Sequence, residues 1–325
     1  MQKAAIIVLG LGMAVAAAEA IIVWQVPLDP RRLAAFLTAF ALLLAVFVGF
    51  SHVPLVKWLR QMAVQSTALA AGMPFLLLVP YVIYSLGTGV FNVLALGKLA
   101  IYLAVPTWLL LPDRLRRAER VGWRDFAAML ALAVPMSAEW LAGIWTWPED
   151  LYFFRPIFAV CVGAYAFLVV RNLDGVGYRL SFRKGDLIDG AANFAGFALI
   201  GIPLGLALGF LHFRPHGVPL WSLGFQLFAI YLTIAVPEEF LFRGILQNFL
   251  VRSLHGNRRS LYGLVIASLI FGAAHLHHAP VPNWRYAILA ALAGMFYGNA
   301  FRNRQRLSAA ALTHALVDTV WHFWF

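Results

Sequence analysis

The chain has 325 residues, 62% of them hydrophobic and only 12% charged, an apolar excess that excludes an ordinary soluble domain. Its net charge of +11 does not point to nucleic acid, because the basic residues fall in short breaks between apolar runs, where they set membrane topology. The single cysteine, Cys161, excludes an intrachain disulfide and a multi-cysteine metal site.

The apolar runs are continuous rather than alternating, so the fold class is all-α, a polytopic transmembrane helical bundle, and not a β-barrel. Eleven spans are predicted, at about 4–24, 33–52, 67–87, 91–111, 126–146, 153–171, 190–212, 221–251, 261–278, 285–301 and 308–325. Turn and charge signals separate them, beginning with Asp29-Pro30-Arg31-Arg32. The first segment also has features of a secretory signal, with Lys3, an apolar centre and Ala16-Ala17-Ala18. Retention as a span is the preferred reading, since the apolar run continues through Ile21, Ile22, Val23 and Trp24.

With the N-terminus placed inside, most Lys and Arg residues fall on the inner side, and only Arg31, Arg32, Arg155, Arg214 and Arg285 fall outside. This bias predicts a cytoplasmic N-terminus and an external C-terminus. Short loops point to a bacterial inner membrane. The break from Arg171 to Asp186, rich in glycine and charge, is the predicted domain boundary. It leaves an N-terminal multi-span region, 1–175, without recognisable chemistry, and a C-terminal region, 188–325, with nearly all of it.

Within the span at about 221–251 lies Pro237-Glu238-Glu239-Phe240-Leu241-Phe242-Arg243. Intramembrane charges are costly unless paired or functional, so they mark sites by default. Residues four apart share a helix face, which pairs Glu239 with Arg243. Glu238 points about 100° away and has no basic residue at helical spacing. Pro237 cannot donate to the preceding turn and predicts a kink.

The next span ends in Phe271-Gly272-Ala273-Ala274-His275. His277 and His278 follow and are assigned to the interface. The last span carries His314 and Asp318, again four apart and converging on one face. Such a couple serves as an orienting pair, as metal ligands or as a buried hydrogen bond. His322, one turn further, joins Trp321 and Trp324 in an interfacial belt. At about 1.5 Å per residue, Glu238, His275, His314 and Asp318 all lie roughly 10–21 Å from the inner ends of their spans. They can therefore meet in one hydrated cavity. Gly294 and Gly298 form a Gly-x-x-x-Gly pattern that allows close helix packing. Glu19 and Glu139 are isolated intramembrane acids, read as interfacial or interhelical hydrogen-bonding groups.

Glu-Glu-x-x-x-Arg, Phe-x-x-x-His and His-x-x-x-Asp, in that order on separate helices, resemble the CPBP family of intramembrane proteases. That family includes the type 2 CAAX prenyl proteases and bacteriocin-processing or self-immunity proteins. The resemblance covers about residues 188–325 and implies hydrolysis of a peptide bond in or beside the membrane, with a membrane-anchored protein or peptide as substrate. It implies Glu238 as the general base activating water, and His275 as the residue that binds or orients that water. His314 and Asp318 would complete the site and stabilise the oxyanion, and Glu239 and Arg243 would hold the geometry. A desolvated carboxylate is a stronger base than one in water, which suits that role.

Zinc fits the donor types of Glu238, His275, His314 and Asp318, and a metal-free glutamate mechanism uses the same four. Asparagine also occurs at the family's last motif position and would donate directly to an oxyanion, whereas an ionised Asp318 would repel it. Asp318 must then be protonated, orient His314 or bind a cation. Two non-hydrolytic readings compete. One is an immunity or scaffold protein that reuses the fold, against which the intact motif set argues. The other is a proton-coupled transporter, which predicts polar groups in two repeated halves, whereas these clusters occupy only the C-terminal spans.

Overall fold

A computed structural model describes residues 29–114, 121–214 and 219–325, together with Gly10, Gly12 and Gly217. The predicted span at about 4–24, its signal-peptide alternative and Glu19 lie outside these residues. Every regular element among them is helical, and nine of the other ten predicted spans fall largely on a helix, the run at about 126–146 being the exception. Among the described residues five helices are long and apolar enough to cross a membrane: Pro30–Gly49, Thr67–Thr88, Val93–Asp113, Lys184–Ala207 and Leu220–Ser253. The chain divides into two compact units, Met1–Asp174 and Gly175–Phe325.

The first unit holds α1 (Pro30–Gly49), α2 (Val53–Gln65), α3 (Thr67–Thr88), α4 (Val93–Asp113), α5 (Trp123–Ser137) and α6 (Phe154–Val170). Asp29 and Asn92 cap α1 and α4, accepting from the backbone N–H groups that open each helix. Helix α2 stands where the sequence predicted only a break. Its Lys57, Arg60 and Gln61 make it amphipathic rather than apolar, and the Arg60 Nε donates to the Leu168 carbonyl at 2.5 Å. The run at 126–146 is not one helix. Helix α5 stops at Ser137, just past Pro135, and Glu139 follows in an exposed turn with φ 51°. Ending there keeps Glu139 out of a helical apolar face. The core centres on Tyr81, Trp145, Phe154 and Phe158. A buried ion pair joins Asp125, at the start of α5, to Arg171, just after α6, with Nε–Oδ1 at 2.6 Å and Nη2–Oδ2 at 3.3 Å.

The second unit holds α7 (Lys184–Ala207), α8 (Leu220–Ser253), α9 (Arg259–Ala274), α10 (Trp284–Arg304) and α11 (Leu307–Trp324). Helix α7 packs on α10 and α11, and α10 also packs on α9 and α11. Helix α11 has the length for a crossing, but His314, Asp318 and His322 lower its apolarity. Its start is clamped to α7 by Asp186. That carboxylate accepts from Arg306 Nε at 2.8 Å, Ser308 Oγ at 3.1 Å and the Arg183 backbone N–H at 2.9 Å. The Arg306 guanidinium also reaches the Ser181 carbonyl. This clamp fixes the height of α11, and with it that of His314 two turns further on.

Candidate active site

Helix α8 is not a uniform α-helix. Wider π-helical turns, Tyr231–Ala235 and Phe240–Gln247, flank a single α-turn, Val236–Glu239. Pro237 lies in this α-turn, directly after the first π-turn. A proline lacks the N–H for a helical bond and crowds the carbonyl four residues back, and the preceding π-turn absorbs both. The altered winding presents both adjacent glutamates to α11.

The two glutamates have opposite environments. Glu239 is completely buried. Its Oε1 accepts from His314 Nδ1 at 2.9 Å, and its Oε2 lies 3.2 Å from Arg243 Nε. The Glu238 side chain is 36% exposed, and its Oε2 lies 3.9 Å from His314 Nε2, too far for a hydrogen bond. Asp318 places Oδ2 at 3.3 Å from the same nitrogen. One imidazole thus faces three carboxyl groups, from residues 238, 239 and 318. An imidazole nitrogen donates only when protonated. His314 therefore donates at both edges as imidazolium, or else Asp318 carries the proton between them.

Arg243 is also fully buried. Its Nη2 reaches the Gly294 carbonyl at 3.3 Å, and the guanidinium lies over the Phe271 ring at 4.9 Å. One turn on, Gln247 donates to the Gly298 carbonyl at 3.3 Å. The two glycines therefore do more than bring helices together. A Cβ at 294 would stand 3.3 Å from Arg243 Nη2, and one at 298 would stand 2.5 Å from Gln247 Oε1. Gln247 was not singled out from the sequence, although its spacing from Glu239 and Arg243 puts it on their stripe.

His275 caps the end of α9, and its Nδ1 lies 2.7 Å from the Phe271 carbonyl. A carbonyl only accepts, so Nδ1 carries the proton and Nε2 is left free in the neutral ring. His275 and His314 both pack on Phe271, with ring centroids at 4.6 and 6.0 Å. His277 and His278 lie in the exposed turn after α9, and His322 is exposed on α11.

His275, His314 and Asp318 line one cavity between α7, α9, α10 and α11, with Tyr286 and Tyr297. Its free volume of about 70 Å³ leaves room for several waters. The remaining wall is apolar, including Phe197, Ile202 and Val317. Tyr297 stacks flat on His314, with centroids 4.5 Å apart and an interplanar angle of 13°. Among the described residues no three His, Cys, Asp or Glu side chains are placed to share a metal ion.

Residues 219–320 match the family model described as type II CAAX prenyl endopeptidase Rce1-like. No curated protein and no solved structure matches the chain. The matched stretch contains Glu238, Glu239, Arg243, His275, His314 and Asp318.

Proposed function

Because its segment 219–320 matches the model of the Rce1-like type II CAAX endopeptidase family, we infer that this membrane protein hydrolyses a peptide bond within or beside the bilayer. The observation that carries this reading is the asymmetry of the glutamate pair. Glu239 is sealed between His314 and Arg243, whereas Glu238 is accessible and makes no hydrogen bond with its inner oxygen. A carboxylate kept accessible beside a fully engaged twin is suited to take a proton from water.

In this mechanism His275 offers its free Nε2 to orient the attacking water. Glu238 takes its proton, and the hydroxide adds to the peptide carbonyl carbon. The carbonyl electron pair moves onto oxygen as the tetrahedral intermediate forms. When the intermediate collapses, the C–N bond breaks and Glu238 returns the proton to the leaving nitrogen. His314 faces the developing charge, with Glu239 and Asp318 fixing its ring and Arg243 holding Glu239.

The substrate in this reading is a membrane-anchored protein or peptide. The catalytic domain spans 188–325, and residues 1–175 form a separate multi-span region. The basic residues place the N-terminus in the cytoplasm, and the short loops favour a bacterial inner membrane. The test is cleavage of labelled membrane peptides, prenylated and unmodified, by protein reconstituted in liposomes. Wild type should cleave at least one class, and Glu238→Gln should lose about 10²–10⁴-fold in kcat. Equal cleavage by both proteins would remove Glu238 as the base. No cleavage by wild type would favour an immunity or scaffold role.

A further inference from the structure

The peptidase reading leaves one chemical demand open, namely which group donates to the oxyanion. An ionised Asp318 cannot, because it only accepts. The imidazoles that line the cavity are committed as well. The Nδ1 of His275 is spent on the Phe271 carbonyl at 2.7 Å, and its Nε2 is the acceptor edge of the neutral ring. The Nδ1 of His314 is bonded to Glu239 at 2.9 Å, and its Nε2 faces Asp318 at 3.3 Å. The other side-chain donors among the lining residues are the hydroxyls of Tyr286 and Tyr297 and the indole N–H of Trp321, whose ring packs against that of Tyr286.

These two tyrosines are not equivalent. The Tyr297 ring is 2% exposed and lies flat against His314, so it walls the site. Tyr286 is half-buried, with its ring edge-on to His275 at 4.6 Å. It is held from behind by Trp321 and Phe210, with centroids at 5.3 and 5.2 Å. Its backbone is held too, since the N–H of Tyr286 donates to the Asn283 side chain capping α10 at 3.0 Å. Its hydroxyl makes no hydrogen bond with any described residue. The hydroxyl is thus an unspent donor on a rigid ring, beside the histidine that would orient the water.

We propose that Tyr286 is a catalytic residue, its hydroxyl donating a hydrogen bond to the carbonyl oxygen as that oxygen gains negative charge. The proton stays on the tyrosine, and no further co-reactant is needed. This assignment rests on the peptidase reading and gives that site a donor that an ionised Asp318 cannot supply.

The test compares wild type, Tyr286→Phe and Glu238→Gln in liposomes, measuring kcat, KM and the affinity of a phosphinic peptide that mimics the tetrahedral intermediate. The phenylalanine keeps the ring contacts with His275, Trp321 and Phe210 and removes only the oxygen. Loss of a single oxyanion donor costs about 10²–10³-fold in kcat. Tyr286→Phe should fall in that range with KM within about twofold, and should bind the phosphinic peptide weaker by a similar factor. A merely structural tyrosine would leave both readouts unchanged. Wild-type cleavage that survives intact in Tyr286→Phe overturns the assignment and leaves the peptidase reading standing. Absence of wild-type cleavage together with no phosphinic-peptide binding removes both.

Discussion

Arg243→Met offers the sharpest test of how the site is held. The guanidinium is fully buried, lies against the equally buried Glu239 at 3.2 Å, and donates to the Gly294 carbonyl. Methionine replaces much of its volume but leaves the Glu239 carboxylate without its cation. Removing one partner of a buried ion pair costs about 3–5 kcal/mol, because the remaining charge stays desolvated. Most proteins have only about 5–15 kcal/mol in total, so the single variant should be severely destabilised. Glu239→Gln alone keeps an acceptor for His314 Nδ1 but strands the guanidinium, and should cost a comparable amount. The double variant has no uncompensated charge and should recover at least about 2 kcal/mol relative to the sum of the singles. The assay is equilibrium unfolding in mixed micelles as the fraction of denaturing detergent rises, for all four members of the cycle. Single variants within about 0.5 kcal/mol of wild type, combining additively, would refute the claim that this pair supports the site.

Further expectations follow from the same contacts. Glu238→Gln should unfold within about 1 kcal/mol of wild type while losing turnover, since an accessible side chain without a bonded partner adds little stability. Gly298→Ala should cost about 1–3 kcal/mol by overpacking, because its Cβ would press on Gln247 Oε1 at 2.5 Å; micelle unfolding checks this. Asp186→Ala strands the buried Arg306 and frees the start of α11. It should cost about 3–5 kcal/mol and lower activity even in the folded fraction, measured by unfolding and by peptide cleavage per folded molecule.

Much of the second unit was legible in the residues alone because its signals are local. Apolar runs long enough for a bilayer define helices, and a spacing of four puts Glu239 beside Arg243 and His314 beside Asp318 whatever the rest of the chain does. Where the expectation failed in the first unit, the reason is also local. Helix α2 carries too many polar groups to read as a span, and Pro135 lets the 126–146 run break before Glu139.

What no spacing could reveal are contacts made across long stretches of sequence. His314 meets Glu239 from 75 residues away, and Arg306 meets Asp186 from 120. Only packing of α8 against α11 decides that both adjacent glutamates face one imidazole, and it needs the π-turns around Pro237 to do so. Only packing of α8 against α10 turns Gly294 and Gly298 into seats for Arg243 and Gln247. Tyr286 gave no sequence signal, because a tyrosine in an apolar helix looks like core until its neighbours are known. The order of residues along the chain determined which groups are on hand. Helix packing decided which of them are engaged by neighbours and which are left without a hydrogen-bond partner.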